Sequence, residues 1–148
     1  MIAPDVIESY LTAQQIPYQR STDVWALQLH GEKKHSIPVT LGLRERTMSV
    51  ESFFMRRPQE AAGEFYRLLL ARNMRPSRVR FATDADGDVY LVGEVTIDAI
   101  DEETLDALLG EILYTADQMF DPAMAVGFAS YLERDRAWRE KQVGAKDA

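Results

Sequence analysis

The spacing of apolar residues changes in a definite order along the chain: helical, alternating through three segments, helical, alternating through two, then helical over a long stretch. Pro4 stands where a first helical turn tolerates proline, and Val6, Ile7, Tyr10 and Leu11 form a helical face until Ile16-Pro17 stops it. From Asp23 the period falls to two, with Trp25, Leu27 and Leu29 on one side. Gly31-Glu32-Lys33-Lys34 predicts a turn, and Ile37, Val39, Leu41 and Leu43 alternate again. Arg44-Glu45-Arg46 predicts the next turn, and Met48 to Met55 a third strand. Links this short predict an antiparallel meander. Pro38 cannot donate to a ladder, so it is expected at its strand's start or on an unbonded side.

Pro58 reads as the first residue of a second helix, with Glu60 in its first turn and Ala61, Ala62, Phe65, Leu68 and Leu69 as its apolar positions. Asn73 and Pro76 are expected to end it. Val79 and Phe81 open a fourth strand, residues 84–88 make a tight turn, and Val89, Leu91, Gly93, Val95 and Ile97 alternate through a fifth. The clearest periodicity comes last. Leu105, Leu108, Leu109, Ile112, Leu113, Ala116, Met119 and Phe120 recur at steps of three and four, after the acidic start Asp101-Glu102-Glu103. A helix from Asp101 to Phe120 spans about 30 Å. The pattern resumes after Asp121-Pro122 through Met124, Phe128, Tyr131 and Leu132, and the charged end is expected to fray. Gly63 and Gly110 interrupt helices at about 1 kcal/mol each. For Gly110 the expected reason is close backbone packing.

The size, 148 residues, predicts one domain over 1–140 with a charged tail over 141–148. With 46% hydrophobic residues the chain can bury a core without staples. There is no cysteine, which excludes disulfides, thiolate metal sites and cysteine nucleophiles. The start of the chain does not read as a signal peptide, and no apolar run approaches membrane-spanning length, so a cytoplasmic protein is expected. The net charge of −7 is segregated: residues 81–133 hold 13 acids and no Lys or Arg. Such a one-signed field repels nucleic acid and acidic membranes and steers basic partners. It reads first as a solvated helix face with turn aspartates.

No catalytic constellation stands out. A calcium loop with Gly87 at its sixth position would put Ala82 at the first and Gly93 at the twelfth, neither with a side-chain oxygen. His30 and His35 bracket a turn but lack a third ligand of defined spacing. The cluster Arg67, Arg72, Arg75, Arg78 and Arg80 suits a phosphate-binding patch. Complementing a helix C-terminus and pairing with the acidic stretch accounts for it better. There is no phosphate-binding glycine loop and no nucleophile elbow. The consecutive Phe53-Phe54-Met55 must send bulky groups to both faces of a strand. With helices covering one face, the other either exposes an apolar patch or meets another chain.

The run Ser52-Phe53-Phe54-Met55-Arg56-Arg57-Pro58-Gln59-Glu60, followed by Tyr66-Arg67-Leu68-Leu69-Leu70-Ala71-Arg72-Asn73, resembles the YbjN-like proteins, especially their actinobacterial branch. So do residues 87–93, residues 105–110 and Gly127-Phe128, so that the resemblance covers residues 52–128. Ala61 stands where the family pattern leads one to expect asparagine. The family is similar in fold to class I type III secretion chaperones: a helix, three strands, a helix, two strands and a final helix, often as dimers. Its members are described as sensory transduction regulators. The resemblance implies a non-enzymatic, protein-binding module and carries no secretion role, because fold alone does not carry function.

The expectation is therefore an α+β protein: helix, three-strand antiparallel meander, helix, two-strand hairpin and long C-terminal helix. It would bind a protein or peptide as a homodimer, through apolar surface around Trp25, Phe53, Phe54 and Met55, with acids of 84–117 tuning partner choice. No cofactor, nucleic acid or membrane is expected. The alternative is a small enzyme or metal-binding protein using His30 or His35 with a carboxylate.

Overall fold

A computed structural model describes residues 2–147. In chain order the elements are α1 (Ala3–Ala13), β1 (Tyr18–Ser21), β2 (Val24–Leu29), β3 (Ile37–Leu43), β4 (Thr47–Met55), α2 (Ala62–Arg72), β5 (Val79–Thr83), β6 (Val89–Thr96), a 3-10 turn (Ile97–Ala99), α3 (Glu102–Gly127) and α4 (Ala129–Asp147). All strand pairs are antiparallel, in the order β1-β2-β3-β4-β6-β5. The expected α+β architecture is present, with one strand more than the periodicity shows. β1 reads Tyr-Gln-Arg-Ser and is largely exposed, so it carries no apolar alternation to detect. It joins β2 through a two-residue turn in which Thr22 takes a positive φ of 53°.

One face of the sheet carries the core. Trp25, Leu27, Val39, Leu41, Met48, Val50, Phe54, Phe81 and Leu91 are all buried there. Against them pack Ile7 and Leu11 of α1, Phe65 and Leu69 of α2, and Leu105, Leu108, Ile112 and Met119 of α3. The Tyr10 hydroxyl donates to Asp106 at 2.8 Å and ties α1 to α3. Burial and that carboxylate push the phenol upward from its ordinary pKa.

Three helical expectations change. α2 begins at Ala62 rather than Pro58, because residues 58–61 form a loop that ends at Ala61 in the left-handed region, φ 50°. α3 does not stop at Phe120; it continues through Pro122 to Gly127, about 39 Å at the usual rise. Pro122 is exposed, so water can satisfy the carbonyl its missing N–H leaves free. The charged end is helical through Asp147. Spaced charges support it: Arg136 pairs with Glu133 at 3.0 Å and Arg139 with Asp135 at 3.1 Å. Finally, a Cβ on Gly110 would meet nothing within 4 Å. This residue faces open space, and among the described residues no backbone packs closely on it.

Candidate functional site

Alternation along β4 sends Met48, Val50, Ser52 and Phe54 inward, which would turn Met55 outward beside Phe53. The ladder departs from that rule. Phe53 pairs with Tyr90 and Met55 with Val89, so two steps on β4 oppose one on β6. This β-bulge turns Met55 back into the core, 5% exposed, beside Phe54 at 2%. Of the four residues expected on a partner surface, Trp25, Phe54 and Met55 are therefore buried within the single chain. Phe53, at 37%, is the one on the outer face. The three bulky groups are accommodated by local backbone geometry, and that face is less apolar than the sequence suggests.

What remains outside is a short apolar row with polar flanks. Phe53 stands edge-on to Tyr90 at 5.5 Å and 80°. Ala82 pairs with Tyr90 from the other side, and Val92 is the next outward residue on β6. Across the sheet follow Glu51, Thr40 and Ala26 in one row and Glu94, Ser49 and Gly42 in another. Arg80 borders Val92. Burial and the carboxylates of Asp84, Asp88 and Glu51 push the Tyr90 hydroxyl above its ordinary value, so it is a neutral donor at physiological pH. The sequence reading did not single out Tyr90 and Val92, although the alternation through Val89 and Leu91 turns the residue after each of them outward.

The segments carrying the family resemblance converge at the corner beside Phe53. Gln59 and Glu60 donate their N–H groups to the Gly127 carbonyl, at 2.9 and 3.2 Å. The Glu60 carboxylate accepts from the Ser130 N–H at 2.6 Å and from its hydroxyl at 3.0 Å, capping the start of α4. Those bonds, with Arg134 nearby, hold the Glu60 carboxyl below the usual range. The Arg56 guanidinium lies 5.2 Å over the Phe128 ring. A side chain on Gly127 would collide with the Phe65 ring at 2.6 Å and with Pro58 at 2.9 Å, so only glycine permits this approach. From the β5–β6 turn, Asp88 accepts the Arg57 N–H at 2.8 Å, and the Gly87 carbonyl accepts the Tyr66 hydroxyl at 2.6 Å. These motif residues make a structural knot beneath the outward row.

The free edge of β5 is partly blocked. Asn73 donates from its amide to the Phe81 carbonyl at 3.0 Å and accepts the Phe81 N–H at 2.8 Å, imitating a neighbouring strand. Asn73 itself lies in the right-handed helical region, so its role is this clamp rather than a left-handed cap. Beside it, Leu70 and Met74 are 64% and 85% exposed. His30 and His35 are exposed in the loop after β2. The carboxylate near that loop, Asp117, accepts the Lys33 and Lys34 N–H groups at 2.6 and 2.9 Å. The Lys34 N–H bond is the main cause that holds its carboxyl low. Among the described residues no group of three or more His, Asp or Glu could hold a metal ion. No helix among them is long and apolar enough to cross a membrane.

This fold is shared with type III secretion chaperones. The protein resembles the structure of the ExoU–SpcU heterodimeric complex from Pseudomonas aeruginosa, with a TM-score of 0.57 and 18% identity over 79% of this chain and 96% of that one. It also resembles the Yersinia pestis chaperone SycH, solved with a fragment of YscM2, with a TM-score of 0.55 and 16% identity over 76% of this chain and 94% of that one. At such identity the likeness shows the fold alone. In sequence, the uncharacterised protein Rv0487 of Mycobacterium tuberculosis is 34% identical over 140 residues, 90% of this chain and 76% of its own. Residues 3–123 match the family described as "Putative bacterial sensory transduction regulator", and the chain belongs to that family, YbjN.

Proposed function

We propose that this protein is a non-enzymatic, cytoplasmic binding module of regulatory or chaperone-like kind, which holds a protein or peptide segment and works as a homodimer. The observation that carries the reading is the outer sheet face. Helices α1 to α3 pack on the opposite side, and among the described residues none of these helices covers the row Ala82, Tyr90, Phe53 with Val92. An extended apolar segment laid on this row would bury Phe53 and the Tyr90 ring. Glu51, Glu94 and Arg80 around it would select charge. The chaperone fold is consistent with this use, since SpcU and SycH are each described in complex with a protein partner. Self-association is assigned to a second surface, the exposed Leu70 and Met74 on and after α2.

The test is capture from native lysate by wild type, Phe53→Asp and Val92→Asp, with circular dichroism to verify folding. Loss of the same captured protein from both variants is the expected result. Undiminished capture by both folded variants would refute the sheet-face reading. Light scattering on Met74→Asp tests the dimer separately: the expected change is from dimer to monomer, and a wild-type protein that is already monomeric refutes that part.

A further inference from the structure

On the helical side of the molecule a cavity of about 510 Å³ lies between the end of α2 and the outward side of α3. Arg72 and Arg75 line it, opposite Gly110, Tyr114 and Thr115. The expected pairing of the arginine cluster with the acidic stretch is realised by Arg78 alone, which holds Glu111 at 2.9 Å. Among the described residues, Arg67, Arg72, Arg75 and Arg80 have no carboxylate within ion-pair distance.

Arg72 is the unusual member. It is half-buried; among the described residues its Nε, sealed from solvent, has no hydrogen-bond partner, and its Nη2 reaches only the Thr115 hydroxyl, at 3.4 Å. A guanidinium cannot shed its proton, so partial desolvation without a counter-ion is costly. The C-terminal dipole of α2 offsets part of that cost and supplies no partner for the Nη groups on the cavity side. The one carboxylate in the wall, Glu111, is spent: it accepts from Arg78 Nη1, the Arg78 N–H and the Ser77 hydroxyl. Two unpaired positive charges therefore face a cavity in a chain whose net charge is −7. Gly110 leaves the floor open, with nothing within 4 Å of where a Cβ would stand.

The geometry points to an anion site at which Arg72 and Arg75 bind an oxyanion group, phosphate or carboxylate. The sealed Nε means that the anion meets Arg72 at its Nη end. Guanidinium forks match both oxyanions, and charge-assisted bonds of this kind are the strong ones. The site stands apart from the sheet-face reading and does not depend on it.

Titration calorimetry on the full chain tests it, with sodium phosphate, sodium acetate and sodium chloride compared at equal ionic strength. Wild type, Arg72→Lys, Arg75→Gln and, as a control away from the cavity, Arg67→Gln are measured. Saturable binding of phosphate, acetate or both, but not of chloride, is expected, and which of the two binds names the oxyanion. Arg75→Gln and Arg72→Lys should each weaken it about tenfold or more, the worth of one charged hydrogen bond. Arg67→Gln should leave it unchanged. Equal responses to all three salts, or affinity untouched in Arg75→Gln, would overturn the assignment. Arg75 is exposed, so its variant should fold even if Arg72→Lys does not.

Discussion

Truncating Met55 and Phe53 to alanine separately tests the bulge that shapes the outer face. In a regular strand the two residues share a face and should respond alike. In the bulged strand Met55 lies in the core at 5% exposure and Phe53 outside at 37%. A buried methionine cut to alanine loses transfer energy and leaves a cavity, about 2–5 kcal/mol. Phe53 loses chiefly its edge-on contact with Tyr90, about 0.5–1.5 kcal/mol. The expected gap is roughly 2 kcal/mol, with Met55→Ala the costlier. Urea unfolding measures it, provided the slope with denaturant stays constant between variants. In a chain this long a loss of about 3 kcal/mol lowers Tm by roughly 6–12 °C, so thermal melts give a second reading. If the two variants agree within about 0.5 kcal/mol, or Phe53→Ala is the more damaging, the strand is not bulged and both bulky groups are outside.

Asn73→Ala should cost about 1–2 kcal/mol in urea, because the Phe81 N–H and carbonyl lose their partner. It should also raise self-association by light scattering through the bared β5 edge; unchanged stability and scattering would mean the clamp is not made in solution. Glu60 has a folded-state pKa below its unfolded value, so its cap on α4 contributes fully above about pH 4.3 and is lost as pH falls through the folded value. Far-UV circular dichroism should therefore show wild type losing helix on acidification and Glu60→Gln already lacking it at neutral pH; identical curves for the two would refute the cap. Gly110→Ala should stabilise the protein by about 1 kcal/mol, since a helix interior with open space beside it gains from alanine. Destabilisation in a thermal melt would mean that another backbone does approach there.

Element type was legible wherever side chains alternate or recur on one helical face. Spacing placed Leu27, Val39 and Leu41 on one side of their strands and Leu105, Leu108, Leu109, Ile112, Ala116 and Met119 on one helical stripe, and all of these are buried; Trp25 shares the side of Leu27 and is buried too, although it was expected on a partner surface. Periodicity is a property of local backbone geometry, so it needs no knowledge of distant residues. β1 escaped because an exposed edge strand has no apolar period, and the start of α2 was misread because Pro58 and Glu60 also suit a helical first turn. Glu60 instead caps a helix 70 residues away, and Asn73 clamps a strand edge rather than its own helix.

The sequence alone determined the order of the elements apart from β1, most of the inward faces, the segregated charge and, through its motifs, the family. Tertiary structure decided which polar group meets which orphaned backbone atom, that Met55 turns inward, and that Arg72 has no carboxylate partner among the described residues. The division has a physical cause. A face is set by torsions within a few residues, whereas a partner, a bulge or an unmatched charge depends on where remote segments come to rest.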